Sequence, residues 1–585
     1  MTYLRIQHYF LVVICIVSRA LSFHVDLSSS GVFKKARLAV SDSTRTQSVT
    51  LSKHAYGASI CARNAHVMRS TSSESRLSDT SPITSSDDTI GKAVFILPHN
   101  ANEAVSKFGS YSPYGSPSIL EAAEQLQKKV NWFSDGLIHA DIIQLPDAEG
   151  EISGFRQQIL SANAVVALNV DRVGDLSNIK DLFDERKVLS TGGKELCQFV
   201  LDCDGSKSIP ASLCGPYDPE SPSLSSSLFP WSDGASGKRM EKQMMELFDR
   251  WTSDDFTYAL MVFFNQYVAP IDWVKYSIDA TWEKGPVQNA KEFYSMITKC
   301  GDCVSKCVAD EKCKECLDAL TAVDTSDQVA SYRTIVSYES ELLRDFSFCI
   351  LQKNNIFGCD AKIPTLPQVA PMETFRGEPL TKEVARQLLI GHLDDMNALE
   401  SSEKTDISWK VAAGANVAYD QFPSQNQIFY DSIDGRSMWY DPVFRVETID
   451  GRNVWAKRHY RVRDGKIPGT FRFSVLDNGV TSDEFWTLVD VADDLSYIIF
   501  HYAGAARSVG QRYLGGLLCT ADGSIPSESE REKKIYPKLR SAGIDPWELF
   551  IVDNSEDSVG ALDAGPPPLD FYRKDILKKI KESSN

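Results

Sequence analysis

The sequence predicts a multidomain chain with an N-terminal α/β unit, a helical Cys-rich region and a C-terminal eight-stranded β-barrel. Three observations favour this order. Strand and helix patterns alternate over residues 91–203, seven cysteines crowd residues 300–359, and apolar and polar residues alternate repeatedly over residues 409–519. A chain of 585 residues is long enough for two or three such domains.

The first 90 residues are typical of targeting segments. We expect residues 1–22 to form a signal peptide, because Arg5 precedes an apolar run that is too short to span a bilayer. Residues 23–90 are assigned to a plastid transit region, because their first part is rich in Ser and Thr and poor in acids. The junction at residues 20–23 is similar to the cleavage motif of plastid proteins in algae with secondary plastids. A disordered secreted N-terminus is the alternative.

The α/β unit is assigned to residues 91–203. Strands are predicted at 93–97, 137–145 and 164–170, and helices at 118–133 and 155–160. This alternation is typical of a parallel sheet. No glycine-rich phosphate-binding fingerprint follows a strand. The net charge of −17 argues against a nucleic-acid partner, because phosphates are bound by clustered Lys and Arg.

A segment rich in Ser, Pro and Gly follows, and residues 204–238 are assigned to a linker. Two helices are predicted beyond it, over residues 240–251 and 256–268. The second is apolar almost all round but too short to cross a bilayer. We therefore expect a buried core helix, with a helix at the membrane interface as the alternative.

The helical Cys-rich region, residues 239–360, holds a cluster of cysteines that fits two chemistries. The cluster consists of Cys300, Cys303, Cys307, Cys313, Cys316, Cys349 and Cys359. Two Cys-x2-Cys pairs could form a four-thiolate zinc site. Alternatively, thiols at helical spacing on two successive helices suit disulfides between them. Because seven is odd, one thiol stays free or pairs outside the cluster, with Cys519 as a candidate partner.

Residues 361–400 are assigned to a linker and a helix, capped by Thr381, that could close one end of the barrel. Residues 401–554 are assigned to the barrel and a C-terminal helix, and residues 555–585 to a basic tail. The eight alternating runs lie near residues 408–414, 425–431, 437–448, 453–463, 469–476, 484–491, 496–502 and 512–520. Asn-Gly and Asp-Gly pairs between most runs favour hairpins. Eight such strands close most simply into a barrel with room for one small ligand, although a sandwich with a filled core has the same pattern.

Two segments of the predicted barrel carry a family resemblance. WKVAAGANVAYDQFPSQNQIFY, residues 409–430, resembles the opening of the lipocalin-like domain of violaxanthin de-epoxidase. SYIIFHYAGAARSVGQRYLGGLLCT, residues 496–520, resembles the closing strands of that domain. Together with IPTLP and VLDNGVTSDEFW, residues 300–554 look closest to the violaxanthin de-epoxidase-related branch. Two positions depart from the pattern: Ile407 replaces the Gly that usually begins a lipocalin, and Ser424 replaces a family Cys.

The resemblance implies a substrate, a co-substrate and site residues. The family opens an epoxide on a long polyene, with ascorbate as the reductant, and this needs an acid for the epoxide oxygen. Asp420 matches the family's aspartate at the exit of the first strand, and Gln425 and Tyr502 match substrate-binding positions. A carboxylic acid inside an apolar barrel has a raised pKa and can stay protonated. The alternatives are that Asp420 is a turn residue and that the other two are ordinary wall residues.

The resemblance also bears on the cysteines and on the compartment. The family carries a Cys-rich domain before its barrel and depends on disulfides, which favours disulfides over zinc and implies no metal. Disulfides require an oxidising compartment, which in a plastid is the thylakoid lumen. The stroma stays open as an alternative, and the thylakoid membrane surface is a candidate partner.

Three functions fit the sequence. The first is a plastid enzyme of the xanthophyll-cycle type that acts on epoxy-carotenoids. The second is a non-catalytic carotenoid or lipid carrier that kept the barrel and lost the chemistry. The third is a redox-responsive interaction protein that uses the α/β and Cys-rich regions.

Overall fold

The computed structural model describes most of the chain beyond residue 90. The described ranges are 91–148, 152–189, 197–201, 244–268, 271, 286–323, 327–361, 365–391, 407–416, 418–432, 437–555 and 560–561. The predicted signal and transit segments, the linker at 204–238 and residues 562–585 of the basic tail lie outside these ranges. Within them, no helix is both long enough and apolar enough to cross a membrane.

A four-stranded parallel sheet forms the centre of the N-terminal unit, with strands in the order β2-β1-β3-β4. The strands are β1 (Gly91–Leu97), β2 (Ile138–Gln144), β3 (Ala164–Leu168) and β4 (Cys197–Leu201). The helices are α1 (Ile119–Phe133), α2 (Arg156–Ser161) and α3 (Val173–Leu189). The predicted parallel sheet is therefore confirmed. Strand β4 and helix α3 were not predicted from the sequence. Helix α3 was missed because its apolar residues form no clear stripe along one face.

Helix α4 (Ser253–Tyr267) is the apolar helix that was expected to lie in a core. Phe256, Phe263 and Phe264 are each at most 1% exposed. The ring of Phe263 lies 5.0 Å from that of Phe199 in β4, which places the helix against the parallel sheet. Burial against protein removes the apolar surface that a membrane-interface helix would present, so the core-helix prediction is correct.

The Cys-rich region consists of α5 (Pro286–Ala309), α6 (Glu311–Ala322), α7 (Gln328–Tyr338), α8 (Glu341–Ser347) and a π-helical turn, Phe348–Lys353. Two disulfides connect them. Cys307–Cys313 joins α5 to α6 with a Cα–Cα distance of 5.2 Å. Cys300–Cys349 joins α5 to the π-helical turn with a Cα–Cα distance of 5.9 Å. Both distances lie in the ordinary range for a disulfide.

The prediction that only one thiol of the cluster stays free or pairs outside it needs correction, because Cys303, Cys316 and Cys359 belong to neither bridge. Helical geometry gives the reason for Cys303: it lies about 60° around α5 from Cys300, whereas Cys307 lies about 20° away. The expected outside partner, Cys519, is a buried free thiol inside the barrel. The zinc alternative fails as well, because it needs the thiolates of Cys300 and Cys313, which are both oxidised.

The C-terminal region is a closed antiparallel barrel. Its strands are β5 (Trp409–Gly414), β6 (Asn426–Asp431), β7 (Met438–Glu447), β8 (Asn453–Lys457), β9 (Tyr460–Asp464), β10 (Thr470–Asp477), β11 (Val480–Val491), β12 (Tyr497–Ala506) and β13 (Gln511–Thr520). Consecutive strands pair with each other except at β8 and β9, which both pair with β7, and β13 returns to β5. Because the paired strands close on themselves, the alternative of a two-sheet sandwich is excluded. The run predicted at 453–463 is interrupted at Arg458 and His459, so one predicted strand is two.

Helix α9 (Lys382–Ile390) closes one end of the barrel, as expected. Thr381 caps it by accepting a hydrogen bond from the Val384 N–H at 3.2 Å. Leu388 and Leu389 are fully buried against the barrel core. The indole N–H of Trp409 in β5 donates to the Leu388 carbonyl at 3.0 Å, which attaches the helix to the first strand. We refer to the end of the barrel that α9 covers as the closed end.

Candidate functional site

The opposite end of the barrel contains a cavity of about 80 Å³, and we refer to it as the polar end. Its wall combines aromatic rings with carboxyl, amide and guanidinium groups. The residues used below are Asn416, Asp420, Gln425, Tyr440, Arg458, Asp477, Glu484, Trp486, Tyr502 and Tyr513. They come from the loop after β5, from the break between β8 and β9, and from inward-facing positions of five strands, β7 and β10 to β13. Such a mixture of apolar walls and a few convergent polar groups is typical of a ligand site.

Asp420 lies in the loop after β5 and is 1% exposed. Its Oδ2 accepts a hydrogen bond from the Asn416 N–H at 2.6 Å. Burial raises the pKa of Asp420 to about 7, and the hydrogen bonds from Asn416 and Gln425 oppose this shift without cancelling it. Asp420, the acid singled out from the sequence, therefore lines the cavity. Its backbone contact is also the one expected of a turn residue.

The other two predicted site residues lie beside Asp420. The Gln425 amide donates to the carbonyls of Tyr419 and Phe422, at 2.7 and 3.1 Å, and so fixes the loop that carries Asp420. Tyr502 is 5% exposed, and its ring stacks on Trp486 with centroids 5.3 Å apart. Burial, followed by the charge of Asp420, raises the pKa of Tyr502 well above its usual value. The structure thus brings the three residues into one cavity.

Glu484 is a second buried acid of the cavity, and the sequence analysis missed it. The Trp486 indole donates to its Oε2 at 2.6 Å and the Tyr513 hydroxyl donates to its Oε1 at 2.7 Å. Burial raises the pKa of Glu484 above its usual range. A signal was present in the sequence, because Glu484 is two positions from Trp486 and so shares its face of the strand.

The Cys-rich helices pack against the rim of the polar end. The Tyr332 ring of α7 lies 5.3 Å from that of Tyr419, and Glu339, just after α7, pairs with Arg458 of the cavity wall. Arg458 also pairs with Asp477 at 2.8 Å. Glu339 is buried, which raises its pKa even though Arg458 opposes the shift. The disulfide-linked region therefore contacts the cavity wall directly.

A second polar cluster lies on the barrel outside the cavity lining. His459 Nδ1 lies 2.6 Å from Asp441 Oδ1, and Lys457 Nζ lies 3.2 Å from Asp441 Oδ2. Asp441 is 3% exposed. This buried aspartate provides a natural comparison with Asp420, because it has cationic partners and does not line the cavity. Across the described ranges, no group of three or more His, Cys, Asp or Glu side chains could hold a metal ion.

The closed antiparallel barrel, with one filled end and one polar cavity, defines a lipocalin-like protein. Comparison with family models supports this class and makes it specific. Residues 292–554 match the family described as the VDE lipocalin domain, in agreement with the resemblance of the sequence motifs to violaxanthin de-epoxidase. The match begins in α5 and therefore includes the disulfide-linked helices as well as the barrel.

Two solved structures were also found to be similar. Lobster apocrustacyanin A1 is 13% identical, with a TM-score of 0.20, over 33% of this chain and 94% of that chain. Apocrustacyanin C1 is 14% identical, with the same TM-score and coverage. A TM-score of 0.20 is too low for either structure to support a conclusion about this chain. No curated protein matches the sequence.

Proposed function

We propose that the protein is a plastid enzyme of the violaxanthin de-epoxidase type, which acts on epoxy-xanthophylls with ascorbate as the reductant. The observation that carries the proposal is the Asp420 carboxyl group, buried in the cavity wall with a pKa raised to about 7. A general acid works best when its pKa lies near the working pH. An aspartic acid with an ordinary pKa would be ionised at that pH and would have no proton to donate.

In the proposed reaction, Asp420 donates its proton to the epoxide oxygen while a C–O bond breaks. Ascorbate supplies two electrons and two protons and becomes dehydroascorbate. The second C–O bond then breaks, the oxygen leaves as water, a carbon–carbon double bond remains, and Asp420 regains its proton. Ascorbate is included in the proposal only through the family resemblance. Arg458 lines the cavity, but it is no evidence for an ascorbate site, because its guanidinium already pairs with Glu339 and Asp477.

A non-catalytic polyene carrier is the second candidate. The observation that favours it is the 2.6 Å hydrogen bond from the Asn416 N–H to Asp420, which is the contact of a residue that stabilises a turn. A carrier needs an apolar cavity and no proton donor. Catalytic turnover by the wild type is therefore the property that separates the two candidates.

Asp420→Asn tests the proton donor. The substitution keeps the size of the side chain but removes its acidic proton. We expect epoxy-xanthophyll to bind as before, while ascorbate-dependent turnover falls by roughly 10²–10⁴-fold, the usual contribution of general acid catalysis. Pigment analysis of the reaction mixture measures turnover, and quenching of tryptophan fluorescence measures binding.

Asp441→Asn is the matched control, because Asp441 is also a buried barrel aspartate but lies outside the cavity lining. Its turnover should equal that of the wild type. Glu484→Gln completes the series. If Glu484→Gln removes turnover and Asp420→Asn does not, Asp420 is not the acid. If the wild type binds the pigment with no turnover, the carrier is correct.

A further inference from the structure

Three glycines lie on neighbouring strands of the polar end, each facing a polar side chain of the cavity. Gly414 is the last residue of β5, Gly504 lies in β12 and Gly515 lies in β13. None of the three has a backbone in the left-handed region, so conformational freedom does not explain why they are glycines. Their shared property is the space that the missing side chain leaves.

The space at Gly414 holds the Asp420 carboxyl group. A Cβ atom added there would lie 2.6 Å from Asp420 Oδ1 and closer still to Oδ2 and Cγ. Real Cβ contacts are essentially never shorter than 3.0 Å, so any other residue at position 414 would force the carboxyl group to move. The buried position of Asp420, and with it the raised pKa, therefore depends on this glycine.

The other two glycines form a reciprocal arrangement with two tyrosines. Tyr502 pairs directly across the strands with Gly515, and Gly504 pairs directly with Tyr513. A Cβ at Gly515 would lie 2.5 Å from Tyr502 Cζ and closer to its hydroxyl oxygen. A Cβ at Gly504 would lie 2.6 Å from Tyr513 Cζ and 2.8 Å from Glu484 Cγ. Each tyrosine therefore lies flat over a glycine of the neighbouring strand.

We infer that Gly414, Gly504 and Gly515 are positioning residues, whose missing side chains form seats for Asp420, for Tyr513 with Glu484, and for Tyr502. The seats hold these polar groups against the barrel wall. An alanine at any of them would push a carboxyl or phenol group toward the centre of the cavity, where a ligand has to fit. The assignment of ligand and reaction rests on the proposed function, but the seats themselves do not.

A double-mutant cycle tests the seat at Gly414 without any ligand. We expect Gly414→Ala to lower the melting temperature of the wild type and to change it little in an Asp420→Ala background, where the carboxyl group is gone. Equal effects in the two backgrounds would show that Gly414 serves some purpose other than seating Asp420. If the single variant fails to fold and the double variant folds, the seat is supported.

Titration of Asp420 gives a readout that a purely structural glycine would not change. In isotope-edited infrared spectra, the protonated carboxyl band is assigned by its loss in Asp420→Asn. We expect the pH at which half of this band is lost to be lower in Gly414→Ala by about one pH unit or more, because burial is the main cause of the raised pKa of Asp420. An unchanged midpoint in a folded variant would overturn the inference.

Gly515→Ala and Gly516→Ala form a matched pair on one strand. Gly515 faces Tyr502 in the cavity, whereas a Cβ at Gly516 would meet Ile544, which packs on the outer face of the barrel. We expect Gly515→Ala to weaken epoxy-xanthophyll binding at least tenfold and Gly516→Ala to leave it unchanged. Equal losses would refute a specific seat. If the wild type binds no epoxy-xanthophyll, the proposed function fails, while the infrared midpoint still tests the seat.

Discussion

At the closed end of the barrel, aromatic and aliphatic side chains such as Phe471, Phe473 and Phe500 fill the interior under α9. At the polar end, the same strands enclose three acidic side chains, Asp420, Asp477 and Glu484, and several tyrosines. Both ends are buried, but burial has opposite consequences in them. Removing apolar rings from water stabilises the fold, whereas removing a carboxylate from water disfavours its charged form. Burial at the closed end therefore stabilises the fold, and this offsets the unfavourable burial of acidic groups at the polar end.

The two ends also have different covers. Helix α9 covers the closed end with fully buried leucines, an indole hydrogen bond to a helix carbonyl, and a partly exposed ion pair between Arg386 and Asp464. The polar end is contacted by Tyr332 of α7 and by Glu339 just after it, which pairs with Arg458. Helix α7 lies between α6 and the π-helical turn, and a disulfide joins each of these two elements to α5. An apolar cap needs only shape, whereas a buried ion pair needs partners held in a fixed geometry.

The largest expected effect on stability is at the closed end. Phe471→Ala should lower the free energy of unfolding by about 3–5 kcal/mol, because Phe471 is 2% exposed and its removal leaves a cavity. Turnover per folded molecule should not change. Urea denaturation and a turnover assay on the folded fraction measure the two quantities. A loss of turnover well beyond the loss of folded protein would break the comparison between the ends.

Removing the disulfides should have the next largest effect, and the two bridges should differ. Cys300–Cys349 spans 49 residues and Cys307–Cys313 spans 6. Loop-closure entropy predicts losses of about 4 kcal/mol for the first and about 2 kcal/mol for the second. The paired Cys→Ser variants, compared by denaturant unfolding, give these values. If the short bridge proved more important, its contribution would come from local strain or packing and not from loop closure.

The smallest effect is expected at the cap of α9. Thr381→Ala removes the hydrogen bond to the Val384 N–H and should cost about 1 kcal/mol. The variant should leave binding and turnover unchanged, because the cap lies at the closed end. Thermal unfolding measures the loss. An effect on the pH dependence of turnover would show that α9 acts on the polar end.

The sequence predicted the parts of the fold that local pattern controls. Period-two alternation identified the barrel strands, and Thr381 identified the capped helix. Alternation could not reveal the break at Arg458 and His459, because the inward and outward faces stay in register across it. At the break, Arg458 pairs with Glu339 and Asp477, which are contacts between distant parts of the chain that a local pattern does not encode.

The candidate site was predicted less completely than the fold. Asp420, Gln425 and Tyr502 were found through matching motifs, whereas Glu484 has the appearance of an ordinary polar residue of a strand. Disulfide partners were beyond local pattern as well, since Cys349 meets Cys300 only after three intervening helices fold. The seats at Gly414, Gly504 and Gly515 depend on side chains from other strands, which spacing along one strand does not encode.

If the polar end keeps Asp420 protonated near neutral pH, the free energy of unfolding must depend on pH in a way that can be measured directly. Between the ordinary pKa of 3.8 and about 7, the folded protein retains a proton that the unfolded chain releases. The stabilisation is thus complete below about pH 4 and is lost as pH rises through about 7. Other buried acids act alike in wild type and Asp420→Asn, so the difference between the two proteins isolates Asp420.

The decisive measurement is the free energy of unfolding of wild type and Asp420→Asn at pH 4 and pH 7, from urea denaturation. The raised pKa predicts that the wild type loses about 3 kcal/mol more than the variant over this range, because the slope of about 1.4 kcal/mol per pH unit is reached only between the two pKa values. Parallel losses in the two proteins would show that Asp420 titrates in the fold as it does in the unfolded chain. The proton donor would then have to be assigned elsewhere.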